Sequence, residues 1–311
     1  MIEAENLTKY YGTFLAIEDV SFEVGKGEIV GFLGPNGAGK TTTMRILSGF
    51  IPPTTGTARV ADYDIHSQSL EARRRIGYLP ESVPLYKDMT VESFLRFYGT
   101  IRGMDRRRRE ARIKEVMNIC RVDRYAKTHI HKLSKGYRQL VGVAQAILHE
   151  PEVLILDEPT IGIDPRQVVQ IRQLIKELGQ EHTVILSTHI LAEVSMICER
   201  IMIMDRGKIM AVDSAENLSQ RLKGTQRIEI EIKGPAETIV SRLREVKGVF
   251  NVTVEGSGDQ RLFAVECSPG QDIRDELASA VVQSGFSLLG LKSYEMSVED
   301  IFLQLTDREK S

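Results

Sequence analysis

Gly34-Pro35-Asn36-Gly37-Ala38-Gly39-Lys40-Thr41-Thr42 decides how this chain is read. It meets the pattern G-x-x-x-x-G-K-[ST] at every specified position. The glycines let the backbone curl tightly and turn its N–H groups inward as a nest for anionic oxygens. Lys40 then brings a point charge to the β- and γ-phosphates, and Thr41 offers a hydroxyl to Mg²⁺. The flanks agree. Glu28-Ile29-Val30-Gly31-Phe32-Leu33 reads as a short strand entering the loop, and Thr42-Thr43-Met44-Arg45-Ile46-Leu47 as a helix whose positive end faces the phosphates. At ordinary residue frequencies an accidental match arises in about one chain in a hundred of this length. The strand–loop–helix order makes accident rarer still, so the stretch reads as a nucleotide site.

A second stretch, Val153-Leu154-Ile155-Leu156-Asp157-Glu158-Pro159, is an apolar run ending in two carboxylates. Continuous hydrophobicity marks a strand buried on both faces of a parallel sheet, and ligands bind such sheets at the carboxyl ends of the strands. Acids placed there hold Mg²⁺ and orient water. The plainer alternative, two acids that merely solvate a strand end, loses weight once a phosphate loop lies upstream. Thr183-Val184-Ile185-Leu186-Ser187-Thr188 is a further buried strand with His189 just past its end. A satisfied structural histidine and a group facing the γ-phosphate both remain open for His189.

Between these runs, Leu133-Ser134-Lys135-Gly136-Tyr137-Arg138-Gln139 precedes Leu140, Val143, Ala144, Ile147 and Leu148 at helical spacing. Ser134 can cap that helix, and Gly136 admits another group close to its backbone. The helix start is thereby a second potential phosphate seat, although taken alone it is also an ordinary capped amphipathic helix. Ile161-Gly162-Ile163-Asp164-Pro165 reads as a tight turn into a helix over 167–178. Tyr10-Tyr11-Gly12 lies just before a second strand, and Tyr11 is either a stacking platform for adenine or an ordinary strand-end tyrosine.

Composition sets the limits. A chain of 311 residues, 42% apolar and 27% charged, is globular and long enough for two domains. A net charge of −2 gives no global field toward nucleic acid. No run approaches the roughly 18 apolar residues that cross a bilayer. Met1-Ile2-Glu3-Ala4-Glu5 lacks the basic and apolar segments of a secretion signal. Cys120, Cys198 and Cys267 form neither an even framework nor a metal spacing, and are expected to be reduced, partly buried small hydrophobes. Thr90 to about Arg124 reads as helical, with Val91, Phe94 and Leu95 in one stripe and Ile113, Val116 and Met117 in another. Arg106-Arg107-Arg108-Arg109, after Asp105 as N-cap, is expected to be a solvated helix surface.

The texture changes at Thr225, and residues 221–311 read as a separate accessory domain after residues 1–220. Arg227 to Lys233 alternates as a half-buried strand, and Pro235 opens a helix with Ile239, Leu243 and Val246. Phe250, Val252 and Val254 alternate, a Gly256–Asp259 turn follows, and Leu262–Cys267 is the partner strand. A helix through Ile273, Leu277 and Val281 and a strand over Phe286–Leu291 complete a βαββαβ, ferredoxin-like order. Ser297 with Asp300 is expected to cap a terminal helix. The domain shows no catalytic constellation.

Together these residues resemble the ATP-binding subunits of ABC transporters over about residues 1–220, in family order and spacing. Residues 34–42 look like the Walker A motif, Leu133–Gln139 like the signature, and Leu154–Glu158 like Walker B. Gly162-Ile163-Asp164 looks like the D-loop, His189 like the switch histidine, and Tyr11 like the adenine-stacking aromatic. The signature wording, Ile76–Glu81 and Ser297–Leu303 look most like ABC-2-type exporter ATPases of the gliding-motility-associated and multidrug-like branch. Three departures stand out. Glu81 replaces the usual glutamine of the Q-loop, Lys135 and Tyr137 replace Gly and Gln of the signature, and Ile161 stands where the D-loop commonly has a small residue.

The resemblance implies an α/β P-loop cassette: a RecA-like core sheet, an antiparallel β subdomain and a helical subdomain. It implies ATP and Mg²⁺ as cofactors. The nucleotide would lie against Tyr11, the loop Gly34, Pro35, Asn36, Gly37, Ala38, Gly39, Lys40, Thr41 and Thr42, and Glu81. Ser134, Gly136 and Asp164 would reach it from a second copy. Thr41, Glu81 and Asp157 would hold the metal, Glu158 would activate water, and His189 would steady the γ-phosphate. The implied partners are separate ABC-2-type permease subunits and a second copy of the chain, at the cytoplasmic face of the cell membrane; no nucleic acid is expected. A rival class, soluble ABC-type ATPases acting on nucleic acid or ribosomes, carries a long coiled-coil insertion or two tandem cassettes, and this chain has neither. A regulatory role for the second domain is compatible with the exporter reading.

Overall fold

The computed structural model describes residues 1–214, 217, 226–256, 258–267 and 273–294. The chain divides into two compact units, Met1–Ala215 and Glu216–Ser311. The expected boundary at 220 and the expected terminal helix from Ser297 both lie outside the described residues.

The first unit begins with β1 (Ile2–Tyr11) and β2 (Phe14–Val24), an antiparallel pair that turns at Gly12. Pairing continues to the Tyr11–Phe14 register, so Tyr11 ends the first strand and lies just before the second. Next come β3 (Ile29–Leu33), buried at all five positions as its apolar run predicts, and α1 (Lys40–Leu47). Then follow β4 (Thr55–Val60), β5 (Tyr63–Asp64), α2 (Ser69–Arg74) and β6 (Ile76–Leu79).

Three helices form the next layer: α3 (Val91–Ile101), α4 (Arg106–Ile119) and α5 (Lys135–Ile147). Both expected stripes are buried, Val91, Phe94 and Leu95 on one and Ile113, Val116 and Met117 on the other. Asp105 caps the second helix by accepting from the backbone N–H groups of Arg107 and Arg108. The basic run is not solvated throughout. Arg109 lays its stem across Gly99, where a Cβ would sit 2.8 Å from the arginine Cδ, and its side chain is only 14% exposed. Long cationic stems cover apolar surface in this way while the head finds a partner, here the Thr100 hydroxyl.

The remaining elements are β7 (Val153–Asp157), α6 (Pro165–Gly179), β8 (Thr183–Thr188), α7 (Leu191–Ile197), β9 (Arg200–Asp205) and β10 (Lys208–Ser214). The central sheet has six strands in the order β10-β9-β3-β8-β7-β6. All its pairs are parallel except the last hairpin, whose turn residues Arg206 and Gly207 both have positive φ. The second sheet, β2-β1-β4-β5, is antiparallel. The two sheets share one core, in which Phe22 meets Phe32 edge to face with ring centroids 5.1 Å apart.

The parallel order has a functional consequence. The carboxyl ends of β3, β6, β7 and β8 lie along one sheet edge, so the loops that follow them share a single surface. Among the described residues no helix is long and apolar enough to cross a membrane. Cys120, Cys198 and Cys267 are buried and none is in a disulfide among the described residues, and burial lifts the thiols of Cys120 and Cys198 far above the usual range.

The second unit follows β11 (Gln226–Lys233), a helix over Ala236–Arg244, β12 (Val249–Glu255), β13 (Gln260–Cys267), a helix over Arg274–Gln283 and β14 (Ser287–Tyr294). Its antiparallel sheet is ordered β12-β13-β11-β14, the ferredoxin-like arrangement. Ile228, Ile230, Ile232, Leu243, Phe263 and Val265 build its core. One expectation fails here. Phe250 and Val252 do not share a face, because the register slips between Val249 and Asn251. That slip leaves Phe250 68% exposed while Val252 stays buried.

Candidate active site

The loop after β3 is braced from outside its own sequence. A Cβ on Gly34 would sit 2.2 Å from the Met204 carbonyl oxygen, so only glycine fits between loop and hairpin. The Gly207 N–H, in the hairpin turn, donates to the Ala38 carbonyl at 3.0 Å. Gly39 takes φ 105°, a backbone open to glycine, and starts α1 so that its N-terminal N–H groups face the loop.

A cavity of about 350 Å³ opens over this loop. Asn36, Gly37, Ala38, Gly39, Lys40, Thr41 and Thr42 form its floor, Tyr11 one wall, and Glu81 and Glu158 another. Tyr11 is 42% exposed, with the Lys9 ammonium over its ring, 5.6 Å from the centroid. Gly34 and Pro35 do not line the cavity. Their carbonyls instead accept from Lys40 Nζ at 2.7 and 3.1 Å and hold the ammonium from below. Lys40 is buried, which lowers its pKa, while Glu158, 3.6 Å away, pulls in the opposite direction.

Asp157 lies beneath the cavity floor with no exposed surface. Its Oδ1 accepts from Thr41 Oγ1 at 3.1 Å and from Ser187 Oγ at 2.6 Å, while Oδ2 has no partner. Burial raises the Asp157 pKa, and the charge on Glu81 adds to the rise. A buried carboxylate with an orphaned oxygen beside a threonine hydroxyl is a donor set for a hard cation such as Mg²⁺, completed by oxygens of a ligand. Among the described residues no group of three or more His, Cys, Asp or Glu side chains could cage a metal without that ligand.

Glu158 takes φ 48°, a left-handed conformation costly for a residue with a Cβ. Its N–H donates to both the Ser187 hydroxyl, at 3.0 Å, and the Ser187 carbonyl, at 3.2 Å, which fixes the turn. Strain held in place by surrounding bonds is a mark of functional positions. The turn brings Glu158 Oε2 to 2.9 Å from His189 Nδ1. An ionised carboxylate only accepts, so Nδ1 carries the proton in this pair.

Ser134, Gly136 and Asp164 lie away from the cavity lining. Ser134 caps α5 by accepting from the Tyr137 N–H at 3.4 Å, and Asp164 caps α6 by accepting from Arg166 and Gln167 N–H, both at 3.1 Å. Gly136 does admit a close neighbour: a Cβ there would meet Gln167 Oε1 at 2.0 Å. Sequence reasoning passed over three residues. Ser187 is a polar interruption of an apolar strand, which is a readable signal. Phe14, 65% exposed beside Tyr11 in the cavity wall, signals itself only as an aromatic after a turn. Gln167 gives no signal, since a glutamine in the first turn of a helix is unremarkable.

A glycine-rich loop closing a parallel strand, with acids and a histidine on neighbouring strand ends, defines a P-loop nucleoside triphosphatase. The family model described as ABC transporter matches residues 17–161. The linearmycin resistance ATP-binding protein of Bacillus subtilis is 33% identical over 99% of both chains. The bacitracin transport ATP-binding protein of Bacillus licheniformis is 32% identical over 98% of this chain and 97% of its own. Among solved structures, an ATP-binding subunit of an ABC transporter aligns with TM-score 0.64 at 30% identity, over 71% of this chain and 92% of that one. A dimeric ATP-binding cassette in a post-hydrolysis state, bound to ADP and Pi, aligns with TM-score 0.64 at 25% identity, over 69% of this chain and 99% of that one. The protein belongs to the family of ABC transporter ATP-binding proteins, and it is an ATPase of that class.

Proposed function

We propose that two copies of this chain close head to tail on two ATP molecules and that the closing motion drives an exporter. The observation that carries the reading is the convergence on one cavity of Lys40, Thr41, Glu81 and Glu158, with Asp157 beneath its floor and His189 joined to Glu158. In this reading Tyr11 stacks on adenine, and the N–H groups of residues 34–42 cradle the phosphates. Lys40 exchanges its carbonyl and carboxylate contacts for phosphate oxygens. Thr41, Asp157 and Glu81 would hold Mg²⁺, which when bound would supply charge neutralisation to the phosphates.

Glu158 accepts the proton of the attacking water, and His189 keeps the Glu158 carboxylate aimed while its own ring bridges toward the γ-phosphate. Ser134 and Gly136 of one copy seal the phosphates held by the other, with Asp164 fixing the turn beside them. Closure is a population shift powered by contacts that exist only when triphosphate is bound.

Export as the direction is supported by relatives named for it, among them the Nod factor export ATP-binding protein I of Mesorhizobium japonicum, 32% identical over 99% of this chain. Separate permease subunits of the ABC-2 type, holding the chain at the cytoplasmic face of the membrane, fit a chain with no membrane-crossing helix among its described residues. The surface offered to them is the segment from Val83 to Tyr98, where exposed Tyr86 packs edge-on against Phe97 at 5.4 Å. The second unit, with its ferredoxin-like sheet, is an accessory domain in this reading.

The test is Glu158→Gln. With the water no longer activated, the variant is expected to bind ATP, form a stable dimer in size-exclusion chromatography, and release phosphate at least about a hundredfold more slowly. Wild-type turnover in that variant refutes the assignment of Glu158. Absence of any ATP-dependent dimer refutes the closure.

A further inference from the structure

A hydroxyl group has one proton to donate and two lone pairs to fill. At Ser134 both lone pairs are engaged: Oγ accepts from the Tyr137 backbone N–H at 3.4 Å and from Gln167 Nε2 at 3.4 Å. Among the described residues nothing accepts the Ser134 proton, and Ser134 is exposed. The proton is therefore left available to whatever approaches from outside. The Gln167 amide is held where it is by the missing side chain at position 136, since its Oε1 occupies the place of a Gly136 Cβ, 2.0 Å from that point.

The same two segments meet a second time. The Lys135 ammonium lies over the turn at Gly162, where a Cβ would sit 2.4 Å from Nζ. The loop before α6 and the start of α5 thus form one interlocked surface, with Ser134 at its tip.

We propose that Gln167 is a positioning residue for the shared ATP site: its amide fixes the Ser134 hydroxyl as a pure hydrogen-bond donor toward the phosphate carried by a second copy. This rests on the head-to-tail closure proposed above. It also gives Gly136 a reason within its own protomer. Alanine there displaces only the flexible end of Gln167, a cheap adjustment for the fold, but one that strips Ser134 of its second donor.

The experiment follows ATP-dependent dimerisation of the full chain in the Glu158→Gln background by light scattering, with ATP and Mg²⁺ titrated against protein carrying further substitutions at 167, 136 and 134. Gln167→Leu removes the donor with a side chain one bond shorter, and Gln167→Glu keeps the shape but can only accept. Both are expected to raise the ATP concentration for half-dimerisation about five- to tenfold, the loss of one neutral hydrogen bond. Gly136→Ala is expected to do the same with an unchanged or higher thermal midpoint. Binding of a fluorescent ATP analogue at concentrations where the chain is monomeric should not change, since Gln167 lies away from the cavity lining.

In a Ser134→Ala background the Gln167→Leu effect should vanish, because Gln167 acts through Ser134. Wild-type dimerisation in Gln167→Leu or in Gln167→Glu overturns the proposal, as does an undiminished Gln167→Leu effect once Ser134 is gone. If the Glu158→Gln chain with native Gln167 fails to dimerise, the closure itself is at fault, and that outcome is distinct.

Discussion

His189 Nδ1 and Glu158 Oε2 lie 2.9 Å apart although the two residues stand 31 positions apart and end neighbouring parallel strands. The pair exists because β7 and β8 run side by side, Asp157 beside Ser187, so Glu158 and His189 meet just past the strand ends, Glu158 lining the cavity over the phosphate loop and His189 a neighbouring one. His189→Ala removes the only hydrogen-bond partner found for Oε2 among the described residues and leaves Glu158 free to swing. ATPase turnover is expected to fall about a hundredfold or more, with ATP-dependent dimerisation retained in the Glu158→Gln background. Steady-state phosphate release checks the first, light scattering the second. Near-wild-type turnover would show that Glu158 needs no orientation from the histidine.

Glu81 lines the cavity opposite the phosphate loop, and its charge raises the proton affinity of both Asp157 and Lys40. Lys40 lies near enough to screen that charge, as a bound Mg²⁺ would. Glu81→Gln is therefore expected to keep ATPase activity within about tenfold of wild type. Complete loss of turnover would make the carboxylate indispensable.

Asp157 has its proton affinity raised in the folded chain, chiefly by burial. A raised carboxyl favours the folded state only while protonated, so its contribution is lost as pH rises through the folded value, and at neutral pH the buried charge is a cost. Asp157→Asn should raise the nucleotide-free thermal midpoint by about 2–4 °C, the shift of one kcal/mol in a unit of this size. The same variant should lose most of the extra stabilisation that Mg²⁺ adds to ATP. A lower midpoint without ligand would show that the Thr41 and Ser187 hydroxyls outweigh burial.

His149 is a pH sensor of the fold rather than of the site. Burial first, then the charge of Arg102, pushes its pKa down from 6.5 to about 4, and its Nε2 sits 3.0 Å from the Ile76 carbonyl. The unfolded chain takes up the proton that the folded chain refuses. Stability is thus full above the unfolded value near 6.5 and drains as pH falls toward 4. By pH 5 the loss amounts to about 2 kcal/mol from this residue, read as a lower urea midpoint. His149→Gln keeps a donor for the carbonyl and should narrow the gap between pH 7 and pH 5; an unchanged gap would assign the acid sensitivity elsewhere.

Much of the nucleotide cavity was legible because its parts are local. The loop over 34–42, the buried run into Asp157 and Glu158, and the caps Asp105 and Ser134 each follow from neighbouring residues and one backbone rule. Phe250 was misread because a register slip depends on the partner strand, which alternation within one strand cannot reveal. Arg109 was misread because Gly99, on another helix, makes the room its stem fills.

By itself the sequence determined the local pattern: which residues form the glycine-rich loop, which acids end buried strands, and that a second, smaller α+β unit follows. These depend on side-chain type and short periodicity, which are properties of contiguous residues. Only the tertiary structure decided how the loop is braced by Met204 and Gly207, how Ser187 ties Asp157 to Glu158, and that the Gln167 amide reaches the Ser134 hydroxyl. The reason is geometric: each is a contact between segments far apart in the chain, and strand order and helix packing set those distances, not residue identity alone.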